Sequence, residues 1–176
     1  MEGFEVTKIG KHIFCILDAG NSSFYMIEGD EKAAVIDTGV TTGTKIMPLL
    51  RELTDKPLLL VVTHVHWDHM YHMDEFEEVY MCHDEKKIDA TTLSTLTVGR
   101  LKPWDEIHDI HTDSVISLGG TELRICQVPG HTPGSVVILE TRENYLFTGD
   151  AIGSGCGVWM HIPGSTDLKT YYNSLV

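Results

Sequence analysis

Short apolar runs separated by turn residues fill the first forty positions of the chain. The runs cover residues 13–17, 24–27 and 33–36, and a Gly-Asp-Glu-Lys turn at 29–32 precedes the last of them. Runs of this length bounded by turn residues are typical of β-strands. The pattern therefore predicts an antiparallel meander.

A helical pattern follows the meander and leads into a fully apolar strand. Between positions 41 and 53 the apolar residues recur at helical spacing, and the threonine-rich start suits helix capping. Pro48 lies inside this span and is expected to shorten or kink the helix. Residues 58–62 are apolar throughout, which is the pattern of a strand that is covered on both faces.

The second half of the chain alternates helical and strand patterns and then becomes strand-rich. Residues 68–76 and 84–93 are predicted helices, the second with Asp84 as its cap, and a strand at 79–82 separates them. Residues 95–114 lack periodicity and are assigned to a long surface connection. A hairpin turn at Gly119-Gly120 introduces a second sheet, with strands predicted at 123–128, 136–140 and 145–147.

Length and composition indicate one globular domain over residues 1–176. The chain is 42% hydrophobic and 22% charged, and neither repeats nor a shift in composition marks an internal boundary. Asp and Glu number 26 against 13 Lys and Arg, which gives a formal charge of -13. Such a chain repels phosphate backbones and anionic lipids, so nucleic-acid and membrane partners are disfavoured and a small-molecule substrate is expected.

The cysteines and the N-terminal sequence indicate the cellular compartment in which the protein is expected. Four widely spaced cysteines form no CxxC pair, and we interpret them as free thiols. Cys15 and Cys126 lie in apolar runs and are expected to be small buried residues. Cys156 lies within the glycine-rich stretch 153–157, just beyond a candidate ligand, where a pocket-lining role is an alternative. The sequence shows no secretory signal and no apolar run of membrane-spanning length, so a cytoplasmic protein is expected.

The chemistry concentrates in a cluster directly after the apolar run at 58–62. His64, His66, Asp68 and His69 form an HxHxDH pattern, and three imidazoles and a carboxylate at the end of a buried strand are costly to leave unpaired. A divalent cation satisfies all four groups together. His64 and His66 alternate along the backbone and so approach one ion, while Asp68 and His69, at the turn into the next helix, address a second position.

Three more polar segments follow strand-like runs in the same manner. His131 lies in the stiff loop Pro-Gly-His-Thr-Pro-Gly-Ser at 129–135, Asp150 ends the segment Thr-Gly-Asp at 148–150, and Asp37 ends another strand. A short carboxylate at the position of Asp150 is suited to bridging two metals. We expect these loops to converge at one edge of the sheets.

These linked motifs resemble the metallo-β-lactamase superfamily, in the correct order and over most of the chain. The resemblance implies an αββα sandwich. It also implies that His64, His66 and His131 hold a first zinc, that Asp68 and His69 hold a second, and that Asp150 bridges them, with iron or manganese as substitutes. A histidine at position 66 is closer to the zinc hydrolases of the family than to its flavin-linked diiron oxygen reductases.

The sequence departs from the family pattern in two places. Tyr71-His72 stands where a glycine pair is common, and for His72 a surface position in the first helical turn is favoured over a role as an added ligand. Family members usually continue to a last histidine that completes the second zinc site, whereas this sequence stops at Val176. We therefore expect a truncated fold, with a weak second site or a group from His161 or a partner chain as alternatives.

The leading functional hypothesis is metal-assisted hydrolysis of a small-molecule ester, thioester, lactone or lactam. A zinc-bound hydroxide would be the nucleophile, because zinc lowers the pKa of bound water to about 7, and Asp68 would orient it or relay its proton. Two alternatives stay open: a diiron redox protein, either an oxygen reductase or a dioxygenase, and a non-catalytic metal-binding fragment. The remaining histidines His12, His83, His108 and His111 are assigned no role.

Overall fold

Two β-sheets form the centre of the molecule in a computed structural model that describes residues 3–41, 43–153 and 157–176. The first sheet contains seven strands in chain order: β1 (Phe4–Lys8), β2 (Ile13–Asp18), β3 (Ser23–Glu28), β4 (Ala33–Ile36), β5 (Leu58–Val61), β6 (Glu78–Met81) and β7 (His108–Asp109). Strands β1 to β4 pair antiparallel and β4 to β7 pair parallel. The predicted meander is confirmed, and β1 adds a strand that the apolar pattern did not indicate.

The second sheet has four antiparallel strands in the order β11-β10-β9-β8. These strands are β8 (Val115–Ser117), β9 (Glu122–Gln127), β10 (Val136–Glu140) and β11 (Tyr145–Phe147). Gly119 and Gly120 adopt φ of +76° and +71° in the turn between β8 and β9, as the predicted hairpin requires. The sequence prediction of a second sheet is confirmed.

The described part of the chain forms four α-helices that complete the sandwich: α1 (Met47–Leu53), α2 (Trp67–Met70), α3 (Ala90–Leu96) and α4 (Leu168–Ser174). Short 3-10 helices occupy Met73–Glu75, His83–Lys87 and Trp104–Glu106.

The buried residues form three layers of core that define the architecture. One cluster lies between the two sheets and includes Ile36 and Val61 from the first sheet and Ile125 and Ile138 from the second. A second cluster joins the outer face of the first sheet to the helices on that side. A third, smaller cluster lies on the outer face of the second sheet, where Tyr171 of α4 packs. The order is helix, sheet, sheet, helix, which is the expected αββα sandwich.

Helix α1 begins later than predicted. Its first residue is Met47, and Pro48 lies in the first turn, where a missing N–H costs no hydrogen bond. The N-cap residue Ile46 makes no side-chain capping hydrogen bond. Instead the Glu75 carboxylate accepts hydrogen bonds from Ile46 N at 3.2 Å and Met47 N at 2.9 Å. The prediction of a helix from position 41 with a threonine cap was wrong. The Glu75 carboxylate, which is distant in sequence, satisfies the first backbone N–H groups of the helix instead.

The helix predicted over residues 68–76 is divided in two. The carbonyl of His69 accepts a hydrogen bond from Thr38 N, at 2.9 Å, and His72 N donates to Thr38 Oγ1 at 3.1 Å. These backbone groups are therefore not available to continue the helix, so α2 ends at Met70 and a 3-10 turn follows.

The remaining differences concern helix α3, the connection that follows it and helix α4. Asp89, not Asp84, caps α3 by accepting from Thr91 N and Thr92 N, which shifts that helix towards the C-terminus. The connection predicted over residues 95–114 contains the end of α3 and the short strand β7. Helix α4, which begins after the capping residue Asp167, was not predicted.

The cysteines differ in exposure. Cys15, Cys82 and Cys126 are free thiols, as predicted. Cys126 is exposed, so the expected burial was wrong: its strand, β9, alternates buried and open positions and Cys126 falls on the open face. Cys15 is half-buried, and Cys156 lies outside the described residues.

The turn between β3 and β4 meets the β8–β9 hairpin at very close range. Leu118 O accepts hydrogen bonds from Glu31 N at 2.9 Å and Lys32 N at 3.1 Å. A Cβ atom on Gly29 would lie 2.2 Å from the same carbonyl oxygen. The approach of the two sheets at this point therefore requires glycine.

We predict that Gly29→Ala lowers the free energy of unfolding by about 3 kcal/mol, because the hairpin must move to admit a methyl group. Gly99→Ala is the matched control: Gly99 has φ of +72° but nothing within 4 Å of the added Cβ, so only backbone strain of about 1–2 kcal/mol is expected. Urea unfolding of both variants measures the difference. Equal losses would contradict the close approach as the cause.

Candidate metal centre

Segments that follow strands of both sheets bring the polar residues to one edge of the sandwich. The HxHxDH segment follows β5, and Asp37 follows the parallel neighbour β4. His131 lies in the connection between β9 and β10, and Asp150 comes shortly after β11. Because parallel strands end at the same edge, the loops after β4 and β5 lie side by side, and the second sheet supplies the other two residues.

Three histidine rings meet at the first position. His66 Nδ1 lies 3.0 Å from His64 Nε2 and 2.9 Å from His131 Nε2. The residues are 1%, 7% and 1% exposed for His64, His66 and His131. Three ring nitrogens from two loops, one on each sheet, therefore converge in a buried space.

Hydrogen bonds fix the orientation of two of these rings. The Trp159 carbonyl accepts from His131 Nδ1 at 2.8 Å, so the proton of His131 is on Nδ1 and the lone pair is on Nε2. The Thr63 hydroxyl donates to Asp37 Oδ2 at 2.8 Å and so accepts from His64 Nδ1 at 3.1 Å. His64 and His131 thus both present an Nε2 lone pair to His66 Nδ1.

A second group of ligand atoms lies beside the first. His69 Nε2 is 3.7 Å from Asp68 Oδ2 and 3.6 Å from Asp150 Oδ1, and Asp150 Oδ2 is 3.5 Å from His131 Nε2. Asp150 therefore faces both groups. Ligand atoms of His64, His69 and Asp150 fall within 4.8 Å of one another, as do those of the three histidines of the first position.

The electrostatics of the two groups are opposite. Burial lowers the pKa of His64 well below its ordinary value, and the neighbouring imidazoles lower it further. Burial, followed by the charge of His131, lowers the pKa of His66 to about 4. These two rings are neutral at physiological pH, which is the state that a metal ligand requires.

His69 has the reverse shift. Burial acts to lower its pKa, but the Asp37 carboxylate, through its charge and its hydrogen bond, together with Asp68 and Asp150, raises the pKa of His69 to about 9. Three carboxylates around one imidazole stabilise positive charge at this position.

Asp37 organises the loops beneath the two groups. Its carboxylate accepts three hydrogen bonds, each 2.8 Å long, from Thr63 N, Thr63 Oγ1 and His69 Nδ1. Asp37 also has φ of +61°, an uncommon conformation for a residue other than glycine. The sequence pattern had placed Asp37 at this edge without a role, because hydrogen bonding across two loops is a tertiary property.

The donor set fits a divalent cation. Neutral imidazole nitrogens with converging lone pairs and nearby carboxylates are the ligands that zinc takes in proteins, and without a cation the lone pairs would face one another. His66 Nε2 is a buried nitrogen with no partner among the described residues.

Two other histidines considered as ligands, His72 and His161, differ in burial. His72 is buried, with Nδ1 2.9 Å from Glu75 Oε1, so the favoured surface position was wrong. Its burial follows from the Thr38 and Glu75 contacts that end α2, and it belongs to neither ligand group among the described residues. His161 is exposed, in keeping with the rim position.

A cavity of about 290 Å³ opens over the second group. Its lining contains two carboxylates and two large apolar side chains, together with glycines: Asp68, Asp150, Ile152, Trp159, Gly149, Gly153 and Gly157. No lysine or arginine is among the described residues that line it. Ile152 and Trp159 are 38% and 68% exposed, so the mouth of the site presents apolar surface to solvent.

The chain belongs to the metallo-beta-lactamase superfamily, whose family model matches residues 17–176. The acyl-coenzyme A thioesterase MBLAC2 of Homo sapiens is 27% identical over 193 residues, which cover 88% of this chain and 68% of that protein. A probable metallo-hydrolase of Methanocaldococcus jannaschii is 34% identical over 153 residues, covering 79% of this chain and 71% of the relative.

Solved structures show the same fold. A metallo-beta-lactamase from Pontibacter korlensis matches with a TM-score of 0.71 and 22% identity, covering 98% of this chain and 83% of that one. The motif-based resemblance and the αββα fold are thereby confirmed. The relatives support a metal-dependent hydrolase as the general class. Among the described helices, none has the length and apolar character needed to cross a bilayer.

The Asp37–His69 pair makes the stability of the metal-free protein depend on pH. Because the folded pKa of His69 is raised from 6.5 to about 9, protonated His69 stabilises the fold fully below pH 6.5, and this contribution is lost as the pH rises through about 9. This contribution to the free energy of unfolding is at most about 3 kcal/mol.

We predict that Asp37→Asn loses less stability than the wild type as the pH rises from 6.5 to about 9, because the main cause of the raised pKa of His69 is removed. Urea unfolding between pH 6 and 9.5 in the presence of chelator measures it, and an NMR titration of the His69 ring reports the pKa directly. The exposed Asp105→Asn is the control and should behave as wild type. An unchanged His69 titration in Asp37→Asn would contradict the assignment.

Proposed function

We propose that this chain is a zinc-dependent hydrolase that cleaves a small-molecule ester, thioester, lactone or lactam. In this proposal His64, His66 and His131 hold a first zinc, Asp68 and His69 hold a second, and Asp150 is shared between them. The observation that carries the proposal is the approach of His64 Nε2 and His131 Nε2 to within 3.0 Å of His66 Nδ1.

The donor chemistry supports zinc over harder ions. Neutral imidazoles dominate the first position, and the second combines an imidazole with carboxylates, which are common zinc ligand sets. When bound, zinc supplies Lewis acidity and lowers the pKa of water to about 7, so that a nucleophile is available at neutral pH.

The chain's own residues divide the remaining tasks. The Asp68 side chain is 37% exposed and lines the cavity, so its carboxylate is positioned to orient the attacking water and to accept its proton. Hydrogen bonds from His64 Nδ1 and His131 Nδ1 to Thr63 Oγ1 and to the Trp159 carbonyl keep the rings aimed inward. No serine or cysteine nucleophile is needed in this scheme.

The cavity lining bears on the substrate. Ile152 and Trp159 offer apolar contact beside Asp68 and Asp150, and no cationic side chain is present among the described lining residues. These features favour an uncharged, apolar acyl group in the cavity. The relatedness to a human acyl-coenzyme A thioesterase agrees with an acyl substrate.

We predict that His66→Ala and Asp150→Ala lose zinc and hydrolytic turnover. Elemental analysis should find less zinc per chain in each variant, and turnover of a panel of esters, thioesters, lactones and lactams should fall by about 100-fold or more, because both changes remove a proposed ligand. The exposed His111→Ala should retain both properties. Unchanged turnover in His66→Ala or Asp150→Ala would exclude this mechanism.

The same measurements test the alternatives. Bound iron with a visible absorption band that responds to reductant would favour a diiron redox protein and would overturn the zinc proposal. Stoichiometric zinc without turnover of any panel member would favour a metal-binding protein.

We predict that Trp159→Ala weakens selection for the acyl chain. In the wild type, kcat/KM is expected to rise by up to about fourfold per methylene over the first few carbons, the factor that corresponds to ~0.8 kcal/mol per buried CH₂. Loss of the indole should flatten this dependence while the Trp159 carbonyl stays in place to hold His131.

Tyr172→Ala is the matched control for this series. Tyr172 is 65% exposed, close to the 68% of Trp159, but does not line the cavity. Its removal should leave the dependence on chain length intact. If Trp159→Ala retains the wild-type slope, the acyl group does not lie in this cavity.

A further inference from the structure

A glutamate with no place in the proposed mechanism lies under the metal centre. Glu85 belongs to the 3-10 helix His83–Lys87 that follows β6, and it is 0% exposed. Burial raises the pKa of its carboxyl to about 7. Glutamate is rarely buried completely unless it has partners. The Oε2 atom of Glu85 has no hydrogen-bond partner among the described residues, so the contacts of Oε1 are the ones that indicate why the side chain is there.

One oxygen of Glu85 joins the two loops that carry the histidines. Glu85 Oε1 accepts a hydrogen bond from Val65 N at 3.0 Å and another from Thr132 Oγ1 at 2.6 Å. Val65 lies between His64 and His66, and Thr132 directly follows His131. The two loops come from different sheets, so this carboxylate connects the first sheet to the second at the level of the ligands.

The loop around His131 is shaped to receive the glutamate. A Cβ atom on Gly134 would lie 2.6 Å from Glu85 Cγ, so only glycine leaves room for the side chain. Ser135 Oγ accepts from Thr132 N at 3.0 Å and lies 2.8 Å from Thr132 Oγ1, which holds the threonine hydroxyl towards Glu85. Position 134 therefore needs glycine because of this close approach.

We infer that Glu85 is a positioning residue of the metal centre, which holds the His64–His66 segment and the His131 segment at the separation that lets their ring nitrogens meet. This inference rests on the proposed function, because it assumes that these rings hold a metal. Groups that orient metal ligands without touching the metal typically contribute about 10- to 100-fold to metal affinity.

Glu140 provides a matched control for a purely structural role. It is also 0% exposed, and its carboxylate accepts hydrogen bonds from the Thr121 hydroxyl and, at 2.8 Å each, from Arg142 N and Glu143 N. It contacts none of the proposed ligands among the described residues. Removing either glutamate should destabilise the fold, but only Glu85 should affect the metal.

The experiment measures zinc affinity by competition with a chromophoric chelator, in parallel with thermal unfolding of the metal-free protein. We expect Glu85→Ala to weaken zinc binding by about 10- to 100-fold and Glu140→Ala to stay within about twofold of wild type. The absorption spectrum of the cobalt-substituted protein should change in Glu85→Ala, because the ligand geometry changes, and should be retained in Glu140→Ala.

Two milder variants keep the test decisive if Glu85→Ala does not fold. Glu85→Gln retains a carbonyl oxygen that can accept from both donors, so zinc affinity should recover to within about threefold of wild type. Thr132→Val keeps the side-chain volume but removes the hydroxyl, so zinc affinity should fall by about threefold or more.

The outcomes separate this inference from the proposed function. If the wild-type protein takes up no zinc, the proposed function fails and the inference fails with it. If the wild type binds zinc but Thr132→Val and every folded Glu85 variant bind it as tightly as Glu140→Ala, only the positioning role is overturned.

Discussion

The structure depends on holding three imidazoles with their ring nitrogens turned towards one another. Burial lowers the pKa of His64 and His66 and so keeps these rings unprotonated, but it also removes the water that would otherwise satisfy their nitrogens. The arrangement persists only because each outward nitrogen of His64 and His131 has a fixed acceptor. The same constraint makes the site a place for a cation, which is the one partner that satisfies all converging lone pairs together.

Because the proposed ligands come from both sheets, packing far from the site controls its geometry. His64 and His66 follow a strand of the first sheet, while His131 and Asp150 follow strands of the second. The core between the sheets therefore sets the distance between the ligands of the first sheet and those of the second, as precisely as side-chain packing allows. Close contacts such as those at Gly29 and Gly134 then fix the loops more finely than apolar burial can.

The sequence predicted most of the longer strands and the polar clusters that follow them, because both depend on short-range patterns. Apolar runs such as 33–36 and 58–62 ended in polar clusters, and the structure places those clusters together. The helix boundaries were predicted less well, since the groups that begin α1 and end α2 are bound by Glu75 and Thr38 from elsewhere in the chain. The roles of Asp37 and Glu85 were not readable for the same reason: an acidic residue in sequence carries no sign of being buried.

The distribution of charge around the metal centre bears on which class of substrate the cavity would accept. With a formal charge of -13 and no lysine or arginine among the described residues of the cavity, the chain itself offers little attraction to an anionic group. Cations held by the proposed ligands would reverse the sign of the charge only at those ligands. A negative group that develops during the proposed hydrolysis would therefore be stabilised at the ligands and not along the rest of the cavity. Under the proposed function, the part of the substrate away from the reacting bond would gain its affinity from contact with Ile152 and Trp159. An uncharged acyl group can develop its negative charge at the ligands and can also make apolar contact with Ile152 and Trp159. An anionic group meets only the first of these two requirements.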